Sequence, residues 1–152
     1  SIHSPQEAQK LGISTVYQEI TLCPNLSVAE NMYIGRESSA LTNWKKMNAD
    51  ADKILKNLDI PAKATQQLAS CSIAIQQMVA IARAVAHKPR VIFADEPTGA
   101  LDTASGLNVM KLFKDLVAKE GITIVMTTHD PNLMELGDVV FEIEDGEIIG
   151  KA

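Results

Sequence analysis

Asp95 and Glu96 stand side by side at the end of a short apolar run, Val91 to Ala94. A continuous apolar run this short predicts a strand buried on both faces, as in a parallel sheet covered by helices. Both acids then fall at the carboxyl end of the strand, where open α/β sheets place their ligands. Pro97 cannot donate to a ladder, so the strand stops there. One carboxylate can hold a Mg²⁺ ion while its neighbour orients and polarises a water for attack on a phosphate. A strand ending in solvated acids explains the pair equally well. Gln18, taken alone, reads as a solvated loop residue, and His129 as a structural histidine. Ser72 reads as the cap of an apolar helix. The order in which these groups occur decides between the readings.

Arg90 to Asp102, RVIFADEPTGALD, resembles the Walker B segment and D-loop of ATP-binding-cassette (ABC) ATPases. Tyr17-Gln18-Glu19 resembles the Q-loop, and Cys71 to Val79, CSIAIQQMV, the signature motif, which is LSGGQ in most of that family. Thr127-Thr128-His129-Asp130 resembles the H-loop. The landmarks follow the family's order over nearly the whole chain. The resemblance implies that Glu96 and His129 are catalytic, the histidine contacting the γ-phosphate and organising the attacking water. It implies that Asp95 holds Mg²⁺ through water, that Gln18 touches the ion and the water, and that the Gln18 loop reports to a membrane subunit. Ser72, Ile73, Ala74, Ile75 and Gln76 would bind the γ-phosphate of ATP held on an opposite subunit. A helix N-terminus suits an anion through its dipole and free N–H groups. Leu101 and Asp102 would form the D-loop crossing a dimer interface.

The signature is worn. Ile73 and Ala74 replace two glycines, as some sugar-importer ATPases tolerate, but Ile75 stands where Gln is usual and Cys71 where Leu is. A P-loop, G-x-x-x-x-G-K-[ST], is absent. The only Gly-Lys pair is Gly150-Lys151, with Asp145 in place of the first glycine and Ala152 in place of Ser or Thr. In the family that loop precedes the Q-loop, so the sequence reads as a cassette without its phosphate-binding start. Residues 1 to about 85 resemble the first domain of monosaccharide-importer ATPases. From about 88 onward, ADEPTGALD and TTHDP look more like lipoprotein-release and macrolide-export ATPases.

Composition sets the outer bounds. The 152 residues suit one domain with a real core, and nearly half are hydrophobic, which argues against a disordered chain. A formal charge of −5 argues against nucleic acid as a partner. Cys23 and Cys71 form neither a metal spacing nor a disulfide framework, which suits a reducing cytosol. No apolar run reaches membrane-span length and there is no signal peptide, so membrane contact is expected only through partners.

Elements must position the motifs. Ser4-Pro5 opens a short helix closed by Gly12, and Ile13 to Tyr17 reads as a strand. Ser27 caps a helix from Val28 to about Ile34, ended by Gly35. Arg36 to Met47 shows no clear period, with Trp44 as a packing anchor. Asn48 caps a helix to about Leu58, and Pro61 to Ser70 is a polar connector. Ser72 caps an apolar helix, Ile73 to His87, that breaks before Pro89. A further helix runs from about Thr103 to Lys119 and Gly121 stops it. Ile122 to Met126 is the next buried strand, Asp130-Pro131 opens a short helix, and Val139–Ile143 with Glu147–Ile149 reads as a hairpin through Asp145-Gly146.

The fold class expected is therefore α/β, a partial P-loop NTPase of ABC type. Residues 1–18 and 88–152 make the core, with a parallel sheet and helices on both faces and a C-terminal β-hairpin, and 19–87 form the Q-loop and helical subdomain. The function implied is that of an ABC transporter's ATP-binding subunit, using ATP and Mg²⁺ to drive solute transport of the sugar-import type. Its implied partners are transmembrane permease subunits and a second ATP-binding domain, which would place it peripherally on the cytoplasmic face of the inner membrane. The competing class is a non-catalytic segment that folds and self-associates. The DNA-repair ABC ATPases are disfavoured by the acidic balance and by an insertion without coiled-coil heptads. Without a P-loop strand, the flank of Ile122–Met126 is expected to close against Val139–Ile143 or to pair with a second chain.

Overall fold

The motifs hang on a short parallel sheet. The computed structural model describes residues 2–34 and 43–151. Its elements follow in the order α1 (Pro5–Lys10), β1 (Ile13–Val16), α2 (Val28–Tyr33), α3 (Trp44–Asn57), α4 (Ile73–Val85), β2 (Val91–Asp95), α5 (Thr103–Glu120), β3 (Thr123–Thr127), α6 (Pro131–Met134), β4 (Phe141–Glu144) and β5 (Glu147–Lys151). The parallel sheet has the order β1-β2-β3, and β4 pairs antiparallel with β5 in a separate hairpin. Val16 lies level with Ala94 and Met126, so all three strands end together.

Local sequence explains most boundaries. Ser4, Ser27, Ser72 and Asp102 each accept a backbone N–H of the following first turn, satisfying donors a helix start leaves free. At Ser27 the arrangement is reciprocal: Glu30 Oε2 accepts the Ser27 amide at 2.7 Å while Ser27 Oγ accepts the Glu30 amide at 3.2 Å. Gly121 closes α5 at φ 65°, a left-handed conformation with little penalty for glycine. Asp145 and Gly146 take φ 48° and 84°, the positive pair that a tight hairpin turn needs.

Three expectations are corrected in the insertion. α3 begins at Trp44 rather than after Asn48, because Asn43 Oδ1 accepts the Lys46 amide at 3.0 Å and caps the earlier turn. Trp44 is 55% exposed in that first turn, so it is no packing anchor. The expected stop at Gly35, and the stretch 36–42, lie outside the described residues. The insertion's core is built by Met32, Leu55, Leu68 and Ile81, all fully buried, so the segment Pro61–Ser70 is more than a polar connector.

Among the described residues the sheet is closed on one face only. Ser14, Val16, Ile92 and Ala94 are buried against α4 and α5, and Ser14 Oγ donates to the Ala84 carbonyl of α4 at 3.1 Å. On the opposite face Thr15, Phe93 and Val125 form one register row, with Phe93 and Val125 each 44% exposed. β2 was expected to be buried on both faces; α1, with no buried residue, does not cover this side. β4 does not lie alongside β3, and β3's outer edge has no strand partner among the described residues. The Asp145-Gly146 turn gives β4 an immediate local partner, which costs less loop-closure entropy than a return to the sheet.

Candidate functional site

Because the strands end level, the residues that follow them meet. Ala94 pairs with Met126 and Asp95 with Thr127, so Glu96 comes one residue beyond the ladder. Thr127 Oγ1 donates to Asp95 Oδ1 at 2.7 Å. The Glu96 amide is shared between the Thr127 carbonyl and hydroxyl, each at 3.2 Å. Thr127 thus fixes both acids, a role the motif TTHD contained but that no spacing argument assigned.

Glu96 sits at φ 38°, a left-handed conformation that is uncommon for a non-glycine residue and costs on the order of 1 kcal/mol or more. Its carboxylate is held from two sides. His129 Nδ1 lies 3.1 Å from Oε1, and Gln18 Nε2 donates to Oε2 at 3.3 Å. His129 is presented at the surface, its side chain 81% exposed, whereas that of Glu96 is 30% exposed. Gly99 leaves the room this needs: a Cβ there would stand 3.3 Å from Glu96 Oε2 and 3.7 Å from Gln18 Nε2. A cleft of about 160 Å³ opens beside them, lined by Glu96, Thr98, Gly99, Leu101, Thr128, His129 and Asp130.

Gln18, Asp95, Glu96 and His129 therefore come together at one edge of the sheet, as the motif order predicts. The signature residues stand elsewhere, at the start of α4. Ser72 Oγ accepts the Ile75 amide at 3.3 Å, Gln76 Nε2 turns back to the Cys71 carbonyl at 2.9 Å, and Ile73 is exposed. None of them lines the cleft. Leu101 does line it. Asp102 caps α5, and the Ser105 amide and hydroxyl, at 2.8 and 3.0 Å, hold its exposed carboxyl below the usual range.

Among the described residues, no three His, Cys, Asp or Glu side chains converge as a metal site on their own. Asp95 suits Mg²⁺ nonetheless, since that ion typically takes one or two carboxylates and completes its shell with water and phosphate oxygens.

Comparisons with known proteins place the chain in a family. The ABC transporter family profile matches residues 2–99. The ribose import ATP-binding protein RbsA 2 of Streptomyces coelicolor is 38% identical over 155 residues, covering 99% of this chain and 29% of the relative. RbsA of Rhodopirellula baltica is 35% identical over 153 residues, covering 98% and 30%. The chain thus spans under a third of the length of these curated relatives. Among solved structures, the dimeric post-hydrolysis state of the ATP-binding cassette MJ0796, bound to ADP and Pi, superposes with a TM-score of 0.79 at 30% identity, over 99% of this chain and 67% of that one. The profile match over most of the chain, the shared fold and the four landmarks in order lead to one conclusion: this chain belongs to the ABC transporter family and carries the fold of its ATP-binding cassettes.

Proposed function

We propose that the chain is part of the ATP-binding subunit of an ABC importer for a ribose-like sugar, and that it supplies the hydrolytic edge of the nucleotide site. The observation that carries this is the convergence of Gln18, Asp95, Glu96 and His129 at the ends of three adjacent parallel strands. Glu96 polarises the attacking water, and the two contacts on its carboxylate keep it aimed. His129, exposed beside the cleft, meets the γ-phosphate. Asp95 and Gln18 would hold Mg²⁺, which supplies charge neutralisation at the phosphates when bound. The start of α4 at Ser72 and the segment Leu101–Asp102 serve a second ATP-binding domain across a dimer interface. No described helix is long and apolar enough to cross a membrane. As in other members of the family, transmembrane permease subunits would provide the membrane contact, at its cytoplasmic face.

A second reading, a segment that folds and self-associates without catalysis, is favoured by the absence of a G-x-x-x-x-G-K-[ST] pattern in these residues. One experiment separates the two. The matched segment of the Streptomyces coelicolor relative is replaced by this chain and Mg-dependent ATP turnover is measured. The proposal expects turnover that falls at least about 100-fold on Glu96→Gln. A folded, inactive hybrid sinks it. The 152-residue chain alone is expected to turn over no ATP.

A further inference from the structure

The loop after Gln18 is tied to the helical insertion by a group that none of the four motifs uses. Arg83, half-buried on α4, donates from Nη1 to the Thr21 carbonyl at 3.0 Å and from Nη2 to Thr21 Oγ1 at 2.9 Å. Sixty-two positions separate the partners in sequence, so the fold and not the local chain brings them together. Two residues further on, buried Asn31 of α2 holds Cys23 by both backbone groups, accepting its amide at 2.7 Å and donating to its carbonyl at 2.9 Å. Gln18 is exposed, and its side-chain amide donates to Glu96. Its aim at Glu96 therefore depends on where the loop is anchored.

We propose that Arg83 is a positioning residue, its guanidinium fork fixing Thr21 so that the orientation of α4 sets the Gln18–Glu96 contact. α4 carries Ser72 at its start and Arg83 in its last turns, and a helix of 13 residues transmits tilt from one end to the other as a rigid body. Arg83 thereby couples a phosphate engaged at Ser72 to the Gln18 side chain at Glu96, adding a tether on the loop to the Ser14–Ala84 bond between β1 and α4. That consequence rests on the proposed ATPase reading, whereas the tether itself does not. Lysine does not substitute for the fork: it offers a point charge where two fixed donors are needed.

The test uses the 152-residue chain, without nucleotide, and two variants. In Arg83→Lys and in Thr21→Val, hydrogen exchange of the Cys23 amide is expected to rise about tenfold, and the Gln18 side-chain amide resonances to move toward those of a free glutamine. Exchange at Ile81 and Ile92 in the core should stay unchanged. If Arg83→Lys loosens the core as well, the isosteric Thr21→Val decides, since it removes only one acceptor. Unchanged Cys23 exchange and Gln18 resonances in Thr21→Val overturn the proposal. In the hybrid described above, Arg83→Lys is expected to lower kcat about tenfold and leave KM within about twofold. Unchanged kcat with a loosened loop also overturns the positioning role, while a hybrid inactive before mutation counts against the ATPase reading and leaves the tether standing.

Discussion

His129 Nδ1 lies 3.1 Å from Glu96 Oε1, across the ends of two neighbouring parallel strands and 33 residues apart in sequence. Neither residue could hold this position alone. Glu96 needs the left-handed backbone at its own Cα and the Thr127 hydroxyl behind its amide. His129 needs β3 to end level with β2.

His129→Ala in the hybrid cassette is expected to reduce kcat by about 100-fold or more, the usual scale for a positioned proton-handling or phosphate-contacting group. His129→Gln, which keeps a donor, should recover part of it. Steady-state ATPase kinetics check this; equal activity in all three proteins contradicts the role given to the histidine.

Ile92 and Phe93 are neighbours on β2 that point to opposite faces, one fully buried and one 44% exposed. Ile92→Ala should cost about 2–5 kcal/mol through lost burial and a cavity. Phe93→Ala should cost the isolated chain less than about 1 kcal/mol. Urea unfolding of the two variants tests whether the sheet is closed on one face only.

Glu30 is held below the usual carboxylate range by its hydrogen bonds with Ser27, its side chain accepting the Ser27 amide. A depressed folded value stabilises the chain above the unfolded value near 4.5 and stops doing so as pH falls through the folded value. The melting temperature should therefore drop on acidification below about pH 4.5. Glu30→Gln, which cannot titrate, should flatten that limb of a pH series measured by circular dichroism. Ser27→Ala should cost about 1 kcal/mol at neutral pH.

The outer edge of β3, without a strand partner among the described residues, and the exposed row Thr15, Phe93 and Val125 invite a second copy of the chain. Light scattering is expected to show concentration-dependent association of the 152-residue chain. Val125→Lys, which places a charge on that face, should return it to monomer. A monodisperse monomer at high concentration would falsify the pairing.

The three strand ends and their acids were legible because each motif closes an apolar run: Asp95, Glu96 and His129 could be placed before any coordinate. The caps at Ser4, Ser27 and Ser72 were legible for the same local reason. What failed is what depends on distant partners. Phe93 looks like core in an apolar run, and only the packing of α4 and α5 on the other side exposes it. Asn48 is as good a cap as Asn43 by type, and the choice rests on the rest of the insertion. The joint hold of Thr127 on both acids needed the strand register. Arg83 and Thr21 gave no signal, since a positive residue in an apolar helix and a threonine in a loop are ordinary features.

The strand order also carries a timing. Gln18 meets Glu96 only after 78 residues of chain have been looped out, whereas His129 meets it across 33. Loop-closure entropy makes the longer circuit costlier by about 0.8 kcal/mol. On this term alone β2–α5–β3 is expected to form before β1 docks, and pulse-labelled hydrogen exchange checks it: protection of Ser14 and Val16 ahead of Ile124 and Met126 would contradict that order. That order would bring the two acids and the histidine together first and add the glutamine with β1.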